Sequence, residues 1–161
     1  MVWSKLLIRK ALKFWRASWQ ERRLLLEALV LLPVTAVALR VVGFRRWQTF
    51  LLRRAPQTGH RQNNAEQTLD LARLAVTSVT RASRFSPWRA SCLQQSLTLG
   101  WLLRRRGIDS QLRIGVRKED GRFEAHAWVE HQGVVLYDPG LNSERFVPFE
   151  RAIAPVGEGR R

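Results

Sequence analysis

From Gln111 to Asp138 the chain reads QLRIGVRKEDGRFEAHAWVEHQGVVLYD, and this stretch decides the fold. It offers three strand candidates, 111–117, 122–130 and 134–138, rich in β-branched, aromatic and alternating residues. Lys118-Glu119-Asp120-Gly121 and His131-Gln132-Gly133 punctuate them with the glycine and short polar residues that hairpin turns need. The expected result is a small antiparallel sheet. In the second strand His126 shares a face with Glu124, Trp128 and Glu130, while Phe123, Ala125, Ala127 and Val129 take the other. A three-residue turn over His131–Gly133, with Gly133 left-handed, pairs Glu130 with Val134 and sets His126 directly opposite Asp138. Side chains so paired stand about 4.5–5.5 Å apart at Cβ. A two-residue turn would shift the register by one and break that pairing.

Just upstream the apolar period lengthens to three and four. Ser91-Cys92-Leu93-Gln94 has the capping-box spacing, serine followed three residues later by glutamine. Leu93, Leu97 and Trp101, with Leu99, Leu102 and Leu103, form an apolar stripe. Arg104-Arg105-Arg106 suits the negative end of the helix dipole, and Gly107 ends the helix. Pro87 also permits a start one turn earlier, at Ser86. Helices followed by a small sheet make the class α+β.

Farther toward the N-terminus, 65–82 reads as a helix with Leu69, Ala72, Val76 and Val79 as its stripe and Asn64 as its cap. Residues 53–64 are polar, with Pro56, Gly59 and Asn63-Asn64, and read as a linker. The hydrophobic stretch 24–44 is interrupted by Glu27, Pro33 and Arg40. Its charge-free run, Ala28 to Leu39, falls short of the roughly 20 residues a membrane-spanning helix needs. A buried helix is expected. Residues 3–19 read as an amphipathic helix with Trp3, Phe14, Trp15 and Trp19 on one side and Lys5, Arg9, Lys10, Lys13 and Arg16 mostly on the other. Such a helix either packs on the rest of the protein or lies on an anionic membrane surface.

These segments divide the chain into a basic and hydrophobic helical region with its linker (1–60), a compact domain (61–156) and a frayed tail (157–161). The net charge of +15 is uneven: residues 1–60 carry 12 Lys/Arg against 2 Asp/Glu, and residues 61–161 carry 16 against 11. Basic surfaces attract anionic lipid, nucleic acid or acidic proteins without choosing among them. One cysteine excludes an intrachain disulfide framework and a cysteine-rich zinc site, and suits a reducing, cytoplasmic compartment. With three scattered histidines and no phosphate-binding loop, no metal and no cofactor is assigned.

Cys92, His126 and Asp138 are therefore the candidate catalytic residues. A cysteine attacks as its thiolate, and the positive end of a helix favours that anion. An imidazole takes and returns the proton, and a carboxylate on its other nitrogen holds the tautomer. Each residue alone has a plainer explanation: a buried small hydrophobe, a satisfied strand histidine and a turn-forming aspartate before Pro139-Gly140. Their combination, with His126 and Asp138 in register, favours catalysis. Trp88, Trp128 and Glu130 are candidates for shaping a substrate cleft, with Trp88 also close enough in sequence to be considered for the oxyanion site.

The strings Cys92-Leu93-Gln94-Gln95-Ser96-Leu97, Leu102 to Ile108, Ile114-Gly115-Val116-Arg117 and Phe123 to Glu130 together resemble the lasso peptide biosynthesis B2 proteins, the transglutaminase-like cysteine proteases of lasso peptide clusters. The resemblance covers about residues 86–149 closely and 20–55 more loosely. It implies a papain/transglutaminase-like core, with Cys92 as nucleophile, His126 as base and Asp138 as orienting acid. It implies removal of the leader peptide from a ribosomally made precursor, ahead of a separate ATP-dependent lasso cyclase. Some members carry a winged-helix leader-binding domain in front. Residues 1–60 read as helices without strand signals, so a separate recognition protein is the expected partner. The expected location is cytoplasmic, peripheral at the inner membrane face, with no nucleic acid bound. Two rivals remain: transglutaminase-type acyl transfer to an amine, and a non-enzymatic basic protein associated with membrane or nucleic acid.

Overall fold

A computed structural model describes residues 18–54, 65–86, 90–140 and 143–149. The expectations for the helix before Ser18, the linker from 55 to 64, Trp88 and the tail lie outside the described residues. Four helices, α1 (Trp19–Val41), α2 (Phe44–Arg54), α3 (Ala65–Phe85) and α4 (Cys92–Arg104), precede a sheet. The strands are β1 (Gln111–Glu119), β2 (Arg122–His131), β3 (Val134–Tyr137) and β4 (Val147–Pro148), with a 3-10 turn at Ser143–Arg145 before β4. The sheet is antiparallel in the order β3-β2-β1-β4. The class is α+β, as the sequence implied.

α1 begins where the Ser18 hydroxyl accepts the Glu21 N–H. It continues through Pro33, which leaves the Leu29 carbonyl without its usual i+4 donor. It stops at Gly43, whose φ of +80° places the left-handed residue just beyond the helix that an L side chain would resist, and its N–H caps the Ala38 carbonyl. α2 then starts at once, a separate, arginine-rich helix just beyond the hydrophobic stretch.

One core joins three helices to the sheet. Leu24, Ala28 and Leu32 of α1 meet Ala72, Ala75 and Val79 of α3, and these meet Leu99, Leu102 and Leu103 of α4 over Val129 and Tyr137. The alanines let α1 and α3 approach closely, while the α4 leucines fill the space under the sheet. A second cluster of Trp47, Leu51 and Leu97 fixes α2, and the Trp47 indole N–H donates to the buried Thr35 hydroxyl at 3.3 Å. The expectation of a buried helix over 24–44 needs one correction. The inner face of α1 is buried, but Leu26, Val30, Val34, Val37 and Val41 on its outer face are exposed.

Both hairpins are closed by two-residue turns. Asp120-Gly121 and Gln132-Gly133 all have positive φ, between 50° and 79°, as type I′ turns require. The first lets β1 and β2 pair without a break from Gln111↔Glu130 to Glu119↔Arg122, so both strands run longer than the sequence suggested. The second overturns the three-residue turn expected at His131–Gly133. His131 pairs with Val134 and Glu130 with Val135, not Glu130 with Val134.

Candidate active site

The shortened turn alone would have rotated Asp138 to the wrong face of the sheet. A bulge corrects this. After Glu130↔Val135 the next pair is Val129↔Tyr137, which leaves Leu136 as an extra residue on β3. Each one-residue step exchanges the two faces, so two steps restore the original face. Extended by one residue, the register sets Asp138 across from Trp128, on the His126 face and diagonal to His126. Diagonal neighbours are within reach of longer side chains. Asp138 Oδ1 lies 2.5 Å from His126 Nε2, and both side chains are buried. The expected pair thus forms, through a register different from the expected one.

Asp138 is held from its other side as well. The Ser143 N–H donates to Oδ2 at 2.7 Å. Burial pushes the Asp138 carboxyl up. The hydrogen bonds from His126 and from the Ser143 backbone and side chain, with the charge attraction of His126, outweigh it and hold the carboxyl below its ordinary value of 3.8. Asp138 is therefore the carboxylate at neutral pH. With Nε2 committed to Asp138, Nδ1 is the ring nitrogen left to exchange a proton elsewhere.

Aromatic rings confine the imidazole. Phe146 lies 5.1 Å from it between ring centroids, and Trp128 is stacked at 6.1 Å. The Trp128 indole N–H donates to Glu130 Oε1 at 2.8 Å, and Arg113 Nε donates to Glu130 Oε2 at 2.9 Å. Two of the cleft candidates are thus one linked unit beside His126, with both Glu130 oxygens engaged. Gly115 is the β1 residue opposite His126. A Cβ there would stand 2.9 Å from Trp128 Cη2 and 3.0 Å from Phe146 Cβ. The Trp128 ring lies across β1 because position 115 has no side chain.

Cys92 is the first residue of α4 and is half-buried. The capping box read from sequence is formed: the Ser91 hydroxyl accepts the Gln94 N–H at 3.3 Å, and Gln94 Oε1 accepts the Ser91 N–H at 2.9 Å. This fixes the start of α4 at Cys92, not at Ser86. One turn farther along, the buried Ser96 hydroxyl donates to the Ala127 carbonyl at 3.0 Å. Residues four apart share a helix face. Cys92 therefore lies one turn before the α4 residue that bonds the β2 carbonyl next to His126, and on the same face of the helix.

A second bridge links the two halves of the site. The Tyr137 hydroxyl donates to Gln95 Oε1 at 2.6 Å, and Gln95 Nε2 donates to the Ala90 carbonyl at 2.7 Å. Tyr137 precedes Asp138, and Ala90 lies two residues before Cys92. Gln95 thus ties the strand that delivers the carboxylate to the segment that delivers the thiol. Nothing in the sequence singled out Gln95, Tyr137, Ser143 or Phe146, whose roles depend on contacts between distant segments. No group of three or more metal-ligating side chains occurs among the described residues.

The family model described as "Transglutaminase-like superfamily" matches residues 29–151, most of the chain and every residue of the site geometry above. No curated protein and no solved structure matches. The matched span starts inside α1, so the family pattern includes the helices that support α4 as well as the sheet.

Proposed function

Because the chain belongs to the transglutaminase-like superfamily, a group built for cysteine-protease or acyl-transfer chemistry, we propose that it is a cysteine peptidase that removes the leader from a lasso peptide precursor. The observation that carries the catalytic part is the buried His126–Asp138 pair, set on the strand against which the Cys92 helix packs. The lasso assignment rests on the strings around Cys92 and His126, which resemble the B2 proteins.

In the proposed cycle His126 Nδ1 takes the thiol proton, and the Cys92 thiolate forms a C–S bond to the carbonyl carbon at the leader–core junction. The Cys92 backbone N–H, at the positive end of α4, stabilises the oxyanion. The C–N bond then breaks as His126 gives its proton to the departing core amine. Water adds to the thioester with His126 as base, the C–S bond breaks, and the leader leaves as a carboxylic acid. Asp138 holds the imidazole and stabilises its cation throughout. A separate leader-binding protein presents the precursor, and the freed amine passes to the ATP-dependent cyclase.

The test is mass spectrometry of the cognate precursor incubated with the leader-binding protein and either the native chain or Cys92→Ala. Free leader and free core with the native chain alone are expected. A product in which the leader carboxyl is joined to an added amine would replace the peptidase with a transglutaminase. An intact precursor in both reactions, with leader binding demonstrated, would overturn the enzymatic reading.

A further inference from the structure

α1 is apolar on both sides, yet among the described residues only one side has a partner. Trp19, Leu26, Val30, Val34, Val37 and Val41 recur at helical spacing along its outer face, and each is between 44% and 78% exposed. An aliphatic face of this kind needs something to cover it. We propose that it seats the protein flat on an anionic lipid surface. This inference does not depend on Cys92 being a nucleophile.

Charge chooses the lipid over other occupants. The two carboxylates of α1 are turned away from solvent and neutralised: Glu27 is paired with Arg23 and Arg106, and Glu21 with Arg81. The stripe itself contains no acidic residue. Its N-terminal end carries the exposed Trp19 and Arg23, and its C-terminal end carries the exposed Arg40, followed after Gly43 by the exposed Arg45 and Arg46. On a helix lying flat, the aliphatic face enters the acyl boundary while the bordering tryptophan and arginine side chains reach back to the headgroups, the guanidinium groups meeting lipid phosphates. A second copy is a poor occupant, because each chain brings a net charge of +15. By length and composition α1 is also apolar enough to cross a membrane. Its opposite face, however, is built into the core through Leu24, Ala28 and Leu32. The helix therefore lies in the plane of the surface and does not cross it.

The test is co-sedimentation of the full chain with vesicles of phosphatidylcholine containing one quarter phosphatidylglycerol, and with phosphatidylcholine alone. The native chain is expected to bind the anionic vesicles and to release them in high salt. The double variant Val30→Asp/Val37→Asp, with an unchanged melting curve, should lose binding by about tenfold or more. Phe123→Asp/Val147→Asp makes the same charge change at exposed sheet positions and should stay within about twofold of the native chain. Binding retained by the α1 variant would overturn the proposal and move the contact to residues 1–17. No vesicle binding, with a dimer by light scattering, would overturn it in favour of a second copy. No vesicle binding by a monomer would overturn it in favour of a different protein partner.

Discussion

Asp138 has the most to lose at the scale of single residues, because its two oxygens bind two different segments. Oδ1 orients His126, and Oδ2 holds the Ser143 N–H at the start of the turn that brings Phe146 onto the imidazole. Asp138→Ala removes the group that sets the tautomer, and should lower kcat by at least about a hundredfold with a smaller change in KM. The same residue makes stability depend on acid. Its folded pKa is depressed below 3.8, so the stabilisation is present above that value and is lost as pH falls through the lower, folded value. Denaturant midpoints of the native chain should therefore fall between pH 5 and pH 2 by more than those of Asp138→Ala. Parallel curves for the two proteins would show that the carboxylate contributes nothing to folding.

At the scale of elements, the site depends on two contacts that a strand diagram does not display. Gly115 makes room on β1 for the Trp128 ring. Gly115→Val forces that ring and Phe146 off the imidazole, and should cost about 1–3 kcal/mol of stability as an overpacking change, with loss of turnover measured alongside the melt. Tyr137→Phe leaves the sheet intact but deletes the donor to Gln95. It should cost about 0.5–1.5 kcal/mol, and should alter the rate at which iodoacetamide alkylates Cys92 in the folded protein. A stability change with an unaltered alkylation rate would make Gln95 structural only. These elements also show how far sequence could be read. The capping box at Ser91-Cys92-Leu93-Gln94 was fully legible because its logic is local. The second hairpin was legible as a hairpin, but His131-Gln132-Gly133 does not say how many residues turn. Gln132 at φ +51° is an uncommon non-glycine choice, and no residue announces the bulge at Leu136. The contact of His126 with Asp138 survived because two one-residue shifts of register add to two, which moves Asp138 along the strand but keeps it on the His126 face. Phe146 had no local signal at all, since it arrives through a turn whose geometry Asp138 itself sets.

Over the whole molecule, the question is whether the helices and the site are one cooperative unit. α4 carries Cys92 at one end, and its leucines are buried among residues of α1, α3 and β2. Position and reactivity of the thiol should therefore depend on residues far from the sheet. Leu24 is 1% exposed. It lies 68 positions before Cys92 in the sequence. Leu24→Ala leaves a cavity between α1 and its neighbours and should cost about 2–5 kcal/mol. If the core is shared, urea transitions followed by helical circular dichroism and by Cys92 alkylation should coincide in the native chain and move together in the variant. Cys92 becoming reactive at lower urea, with the helical signal intact, would instead mean that α1 and α3 fold apart from the α4–sheet unit. Coincidence is the expected outcome, because the α4 leucines touch both halves and neither half can bury its apolar face without them.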